Sequence, residues 1–87
     1  MPMKGGNAVL LKEAISCRLH DLMTDNQITG YGLYLRSGVP KATISNVLHG
    51  RYDSVKIRIL YEICQGLNIG LSDFFKSDYF DEEKLEP

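Results

Sequence analysis

The sequence predicts a small all-α domain of five helices, and three observations support this fold class. Apolar residues in the first and fourth predicted helices recur at spacings of three and four, which places them on one face of each helix. A glycine-centred turn at Gly38 separates two further short helical segments. The chain has 87 residues, of which 44% are hydrophobic and 24% charged, and this composition is typical of one globular domain.

The first helix is predicted to run from about Val9 to Asp25. It follows a lead at residues 1–7, which a glycine pair and a proline mark as flexible. Its apolar stripe is expected to face the core. The residues of this stripe are Leu11, Ile15, Leu19, Leu22 and Met23.

Two short helices and a tight turn follow. Thr29 is a good N-cap for the second helix, because its hydroxyl can accept from free N–H groups of the first turn. Gly38 can adopt the left-handed conformation that ends a helix, and Pro40 suits the start of the next one. Gly50 closes this third helix, whose inward face consists of Ile44, Val47 and Leu48. The arrangement predicts a helix-turn-helix, in which the second of the two helices enters the DNA major groove.

The fourth helix is predicted to begin with Ser54 as its cap and to end at Asn68, which suits a left-handed C-cap. Its core-facing residues are Ile57, Leu60, Ile63, Cys64 and Leu67. Ser72 then caps a short fifth helix, and Phe74 or Phe75 is expected to fill the bottom of the core.

The charges are unevenly distributed along the chain. Residues 26–60 carry five cations against Asp53 alone, a net charge of +4, whereas residues 61–87 carry two cations against seven carboxylates. The overall net charge of −1 therefore combines a basic central segment with an acidic end. We expect a domain at residues 8–76 and a loosely held acidic tail at residues 77–87, with Tyr79 as one of two aromatic residues that could dock on a surface.

No apolar run approaches the roughly 18 residues of a membrane-spanning helix. The start of the chain also lacks the apolar core and cleavage site of a signal peptide. We therefore expect a cytoplasmic protein without a membrane partner.

The central segment resembles the helix-turn-helix of Cro-like phage repressors and of the wider XRE group of bacterial regulators. The first block of the resemblance comprises Leu33, residues 37–45 and residues 48–50, and the second comprises residues 60–75. Together they cover roughly residues 9 to 75 in the expected order. The resemblance implies a lambda-repressor-like domain of five helices from a bacterium or a phage.

Two residues depart from the pattern of that family. The family usually has Gln as the first residue of the second helix, where it bonds a phosphate, and this chain has Gly30. The family usually has a small Ala where this chain has Tyr34, so the two helices are expected to pack at a changed angle. Gly30 and Gly32 also each weaken the helix by about 1 kcal/mol relative to Ala.

The outward face of the third helix is expected to contact bases. Its inward residues leave Lys41, Ala42, Ser45 and Asn46 pointing away from the core, and the resemblance places three of these at base-reading positions. Lys can donate to guanine, Asn can pair with adenine, and the Ala methyl can meet a thymine methyl. The alternative is an ordinary solvated helix face.

A second set of residues is expected to contact the DNA backbone. Three cations cluster after the third helix, and the N–H groups at the start of the fourth helix favour anions. The resemblance adds a phosphate-facing residue in the third helix. The alternative for each cation is a solvated side chain. The predicted backbone set is Thr43, Arg51, Tyr52, Lys56 and Arg58.

Metal binding and catalysis are not expected. Cys17 and His20 are three residues apart, and His49 and Cys64 complete a formal set of four, but close ligand pairs typical of a zinc site are absent. Both cysteines are interpreted as reduced structural thiols. No orienting or oxyanion motif accompanies them, so we expect neither an enzyme nor a cofactor.

These observations favour a sequence-specific transcriptional regulator, specifically a repressor. We expect it to bind double-stranded DNA as a homodimer. One recognition helix contacts only a few base pairs, and two half-sites supply the remaining affinity. No small-molecule ligand is expected. The alternative is a protein-interaction module, such as an antitoxin, on the same scaffold.

Overall fold

The computed structural model describes residues 8–87 and contains five α-helices within them. The five-helix fold class is confirmed, and the lead predicted at residues 1–7 lies outside the described residues. The helices are α1 (Leu11–Asp25), α2 (Gly30–Ser37), α3 (Lys41–Leu48), α4 (Ile57–Leu67) and α5 (Leu71–Phe74). Within residues 8–87, no helix combines the length and the apolar character that crossing a bilayer requires.

The helix-turn-helix has the local geometry that its sequence predicts. Thr29 caps α2, with its hydroxyl oxygen accepting from the N–H of Gly32 at 3.0 Å. Gly38 ends α2 in the left-handed conformation at a φ of 77°. The carbonyl of Pro40 accepts from the N–H of Ile44 at 3.0 Å, so Pro40 immediately precedes the first residue of α3. The turn between α2 and α3 is therefore the one that the sequence predicts.

The core lies between α1, α2, α3 and α4, and Phe74 of α5 closes it. The predicted inward residues of α3 are buried, with Ile44 and Val47 at 1% and 2% exposure. Leu48 is partly buried against the same cluster. The helical phase that places the polar face of α3 outward is therefore confirmed. The buried core residues are Ala14, Ile15, Leu19, Leu22, Met23, Leu33, Val39, Ile44, Val47, Leu60, Ile63, Cys64, Leu67 and Phe74.

Two apolar residues assigned to the core are instead exposed. Leu11 is the first residue of α1 and is 37% exposed, and Ile57 is the first residue of α4 and is 64% exposed. Both predictions were wrong. Periodicity depends on the spacing of residues within one helix and carries no information on which neighbouring elements cover its first turn.

Two predicted helix caps are also wrong. The chain stays extended through Lys56, so α4 begins at Ile57 and Ser54 does not cap it. Val55 packs partly buried against the core, which favours the extended path. Helix α5 begins after Gly70, whose N–H donates to the carboxylate of Asp73 at 3.4 Å, so Ser72 lies inside the helix.

The acidic tail is docked rather than loosely held, and it docks through the two aromatic residues that were expected to be able to do so. A 3-10 helix at Asp78–Phe80 places the ring of Phe80 against that of Phe75, with centroids 4.9 Å apart. The hydroxyl of Tyr79 donates to the carboxylate of Asp21 in α1 at 2.5 Å, and this hydrogen bond raises the pKa of Tyr79. Aromatic burial and this hydrogen bond hold the tail in spite of its charge.

A two-stranded parallel ladder adds to the helical fold. Strand β1 (Val9–Leu10) precedes α1, and β2 (Leu85–Glu86) ends the tail and pairs with it. The first helix therefore begins at Leu11 rather than Val9. The expectation of a helix from Val9 was wrong, because an extended pair this short shows no periodicity that could distinguish it from a helix start.

Gly66 allows α4 to approach α2 closely. A Cβ atom at Gly66 would lie 2.8 Å from the Cβ of Ser37 and 2.9 Å from a methyl carbon of Leu33. Real Cβ atoms essentially never approach other heavy atoms within 3.0 Å, so any larger residue would push the two helices apart. The glycine, which costs about 1 kcal/mol of helix propensity, is required by this packing.

We expect Gly66→Ala to lower the free energy of unfolding by up to about 2 kcal/mol. Overpacking costs about 1–3 kcal/mol, which exceeds the gain in helix propensity. Gly30→Ala is the matched control, because a Cβ at Gly30 would meet nothing within 4 Å. Chemical denaturation of both variants measures the difference. Equal stability of the two would show that α2 and α4 can separate at little cost.

The burial of Cys64 is expected to make the fold less stable at alkaline pH. Burial raises the pKa of its thiol from 9.0 to about 11. The unfolded thiol ionises above pH 9.0 while the folded thiol stays neutral, so this contribution to stability is present below pH 9 and is lost as the pH rises towards 11.

Between pH 8 and pH 10, the wild type should therefore lose about 1 kcal/mol more of its free energy of unfolding than Cys64→Ala does. Denaturant titrations of both proteins at the two pH values measure this difference, and the other titrating groups cancel between them. Identical losses would mean that water reaches the thiol in the folded protein.

Candidate nucleic-acid interface

The outward face of α3 presents the four residues that the sequence assigns to base contacts. Lys41 and Ala42 are exposed at the start of the helix, while Ser45 and Asn46 are half-buried one turn later. The N-terminal half of a recognition helix is the part that approaches base edges, so the exposed end is the one this mode of binding requires.

Lys41 lies against an aromatic side chain of α2. Its ammonium nitrogen is 5.3 Å from the centroid of the Tyr31 ring, within the range of a cation–π interaction. Tyr31 is 57% exposed and its ring centroid is 6.0 Å from that of Tyr34. Tyr31 was not among the residues predicted from the sequence, because nothing in the order of residues shows that the start of α2 and the start of α3 meet.

The two departures from the family pattern both lie on the surface of α2. Gly30 is the first residue of the helix, and the space around it is open. Tyr34 is 38% exposed, so part of its ring points into solvent beside Tyr31. The ring of Tyr34, which stands where the family usually has a small Ala, therefore lies partly outside the core.

A polar cluster joins the second turn of α3 to the loop that follows it. Asn46 donates from Nδ2 to the hydroxyl of Tyr52 at 3.0 Å, and its Oδ1 accepts from Nη1 of Arg51 at 3.1 Å. The same nitrogen of Arg51 lies 3.3 Å from the hydroxyl of Ser45. His49 adds a contact of 2.8 Å between Nδ1 and the carbonyl of Ser45, in which the nitrogen donates because a carbonyl only accepts.

Three of the residues predicted to contact the DNA backbone line one cleft. Thr43, Tyr52 and Lys56 surround an open cleft of about 310 Å³ between α3 and the start of α4. Ser54 also lines it, and the apolar side chains of Val55 and Ile59 form the rest of the wall. Hydroxyl groups and an ammonium group at the N-terminus of α4 form a suitable environment for a phosphate oxygen.

The other two residues predicted to contact the DNA backbone, Arg51 and Arg58, lie in different settings. Arg51 belongs to the polar cluster, and Arg58 pairs with Glu62 one turn along α4 at 3.3 Å. The charge of Arg58 is therefore partly offset by its own neighbour. Asp53, the one carboxylate of residues 26–60, pairs with Lys12 of α1 at 3.1 Å. This pairing reduces the repulsion that Asp53 would exert on a nearby phosphate.

Other long-range contacts fix the frame behind this surface. The hydroxyl of Ser16 in α1 donates to the carbonyl of Leu48, which the end of α3 leaves free. Arg18 donates to the carbonyls of Asp73 and Phe74 at the end of α5, both at 2.7 Å. None of these contacts could be predicted from local sequence, since each joins residues at least 32 positions apart.

The cysteine and histidine residues do not converge. Cys17 is exposed on α1, whereas Cys64 is buried in α4, and neither forms a disulfide. Within the part of the chain that the structure describes, no group of three or more His, Cys, Asp or Glu residues is placed to hold a metal ion.

A family model described as a Cro/C1-type helix-turn-helix DNA-binding domain matches residues 18–78, which is more than half of the chain. The match covers α2, α3, α4, α5 and most of α1. Comparison with curated proteins and with solved structures returns no match. The chain belongs to the Cro/C1-type helix-turn-helix family, and the resemblance that the sequence suggests is confirmed.

Proposed function

We propose that this Cro/C1-type domain is a sequence-specific transcriptional repressor that inserts α3 into the major groove of double-stranded DNA. The observation that carries this proposal is the position of α3, which buries Ile44 and Val47 and leaves a polar face exposed beside a basic loop. Lys41 and Ala42 contact base edges directly, and Ser45 and Asn46 form the second half of the base-facing surface.

The cleft between α3 and α4 holds a backbone phosphate beside this surface. Thr43 and Tyr52 offer hydroxyl groups, and Lys56 supplies the charge. Backbone contacts of this kind fix the register of a protein on the duplex without reading its sequence. Arg58 contributes less, because Glu62 already lies against it.

We further propose that the regulator acts as a homodimer in the cytoplasm, without a small-molecule effector or a catalytic role. A single α3 of eight residues contacts only a few base pairs, whereas two copies contact two half-sites about one helical turn apart. Dimeric binding of this kind supplies the affinity that one domain alone lacks.

The first test is the salt dependence of DNA binding. We expect Lys56→Ala to flatten the slope of log K against log salt by about 0.9 per protomer, because one phosphate contact no longer releases a counterion. Binding should weaken for specific and non-specific duplexes alike, and the preferred sequence, found by selection from random duplexes, should not change.

Lys76→Ala is the matched control for that test. It removes the same charge from an exposed position after α5, outside the proposed interface, and should leave the slope nearly unaltered. If the two variants changed the slope equally, net charge rather than a phosphate contact would explain the effect. An absence of any salt dependence in the wild type would contradict DNA binding itself.

The second test restores a contact that the family uses and this chain lacks. We expect Gly30→Gln to tighten DNA binding by about 1 kcal/mol per protomer, because the amide can donate to a phosphate from the start of α2. A Cβ atom at Gly30 would meet nothing within 4 Å, so the backbone there tolerates a side chain. Gel-shift titrations measure the affinity.

Gly30→Ala serves as the control for the change in helix propensity. Because glutamine is neutral, the salt slope should stay the same in Gly30→Gln while the affinity rises for every sequence. Equal affinities of the Gln and Ala variants would show that the start of α2 does not approach the DNA backbone.

A second candidate function is a protein-interaction module, such as an antitoxin. The exposed side chains of α2 favour it, since Leu35 is 63% exposed and Tyr31 57% exposed. An apolar surface of this kind suits a protein partner. The salt titration separates the two functions, because contacts with a protein partner do not release the counterions of DNA.

A further inference from the structure

Arg51 is directed back onto α3 by the way that helix ends. Gly50 adopts a positive φ of 62°, and its N–H donates to the carbonyl of Val47 at 3.1 Å. The N–H of Arg51 donates to the carbonyl of Asn46 at 2.9 Å. These two bonds define a Schellman motif, in which the residue after the glycine folds back over the last helical turn. The backbone thus fixes Arg51 beside the base-facing surface.

The side chain of Arg51 is held on that surface by two residues of α3. Its Nη1 donates to Oδ1 of Asn46 at 3.1 Å and to the hydroxyl of Ser45 at 3.3 Å. Asn46 is itself anchored, because its Nδ2 donates to Tyr52, whose ring packs partly buried against the core. A chain of contacts therefore runs from the core through Tyr52 and Asn46 to an exposed guanidinium.

We propose that Arg51 is a specificity-determining residue that contacts a guanine in each half-site, and that Asn46 positions it. This inference rests on the proposed DNA-binding function. A guanidinium carries five N–H donors in a planar fork, and its contact with O6 and N7 of guanine is the commonest specific contact in the major groove. The bonds to α3 engage Nη1, and Nε and Nη2 form the edge of the fork that can donate to O6 and N7.

This assignment changes the roles that the sequence suggests for two residues. Arg51 was expected to contact a phosphate, and Asn46 was expected to pair with adenine. Both ends of the Asn46 amide are engaged within the protein, by Tyr52 and by Arg51. Direct pairing with adenine needs those same two atoms. Asn46 is therefore better placed to orient the guanidinium of Arg51, and the side chain of Arg51 is exposed.

The test measures base preference at every position of the wild-type site. Duplexes carrying the selected site and each of its single-base-pair substitutions are titrated against wild type, Arg51→Ala, Arg51→Lys and Asn46→Ala. We expect one guanine per half-site to be preferred by roughly 5- to 150-fold in the wild type. Arg51→Ala should remove that preference, and Asn46→Ala should reduce it at the same position.

Arg51→Lys is the conservative variant. It keeps the charge and the salt slope but loses the fork, so affinity for duplexes without the guanine should be retained while the extra affinity for the guanine site falls. Lys76→Ala should leave the preference unchanged. In the double variant, Arg51→Ala combined with Asn46→Ala should lose no more guanine preference than Arg51→Ala alone, because Asn46 acts through Arg51.

Three outcomes would overturn the inference. If Arg51→Ala weakens binding to all four bases equally, Arg51 is a phosphate contact. If Asn46→Ala abolishes an adenine preference that Arg51→Ala leaves intact, Asn46 reads the base directly. If the wild type selects no sequence, the proposed function and this inference both fail, whereas either of the first two results leaves DNA binding standing.

Discussion

The close contact between α2 and α4 at Gly66 is the constraint on which the rest of the structure depends. A Cβ atom at Gly66 would lie less than 3.0 Å from side-chain atoms of Ser37 and Leu33, so the bare glycine lets α4 pack this closely against α2. Ser37 is the last residue of α2, so the contact fixes the point from which the turn at Gly38 directs α3. The orientation of α3 thus follows from the packing of two helices behind it.

The candidate interface is supported from behind by hydrogen bonds between helices, and it belongs to a chain of low net charge. Ser16 and Arg18 tie α1 to the ends of α3 and α5, and these bonds satisfy carbonyl groups that helix ends leave unpaired. In front of this frame, the polar cluster around Asn46 orders a cationic side chain before any ligand arrives. Ordering of this kind lowers the entropy cost of binding, which matters for a small domain with a net charge of −1. Local arrangement of charge therefore counts for more here than the total.

Much of the fold and part of the candidate site could be predicted from the sequence. The burial of Ile44 and Val47 followed from a spacing of three residues, and the turn followed from Gly38, because both depend on neighbours within one helical turn. The same rule misplaced Ile57, which is the first residue of α4 and is 64% exposed. The prediction that Ser54 caps α4 was wrong, because Val55 packs against the core and the chain stays extended up to Ile57. Periodicity indicates which face of a helix points towards the core, whereas the burial of a residue also depends on what packs against that face.

The sequence by itself determined the helical phase of α3, the turn before it and the basic character of the central segment. These properties depend on residue type and on contacts close along the chain. Only the tertiary structure decided which side chains meet around that helix. Lys12 pairs with Asp53 and Tyr79 with Asp21, across 41 and 58 positions, and Tyr31 lies under Lys41 from another helix. Such contacts depend on where packed helices bring distant residues together, and the spacing of residues along a chain carries no measure of that distance.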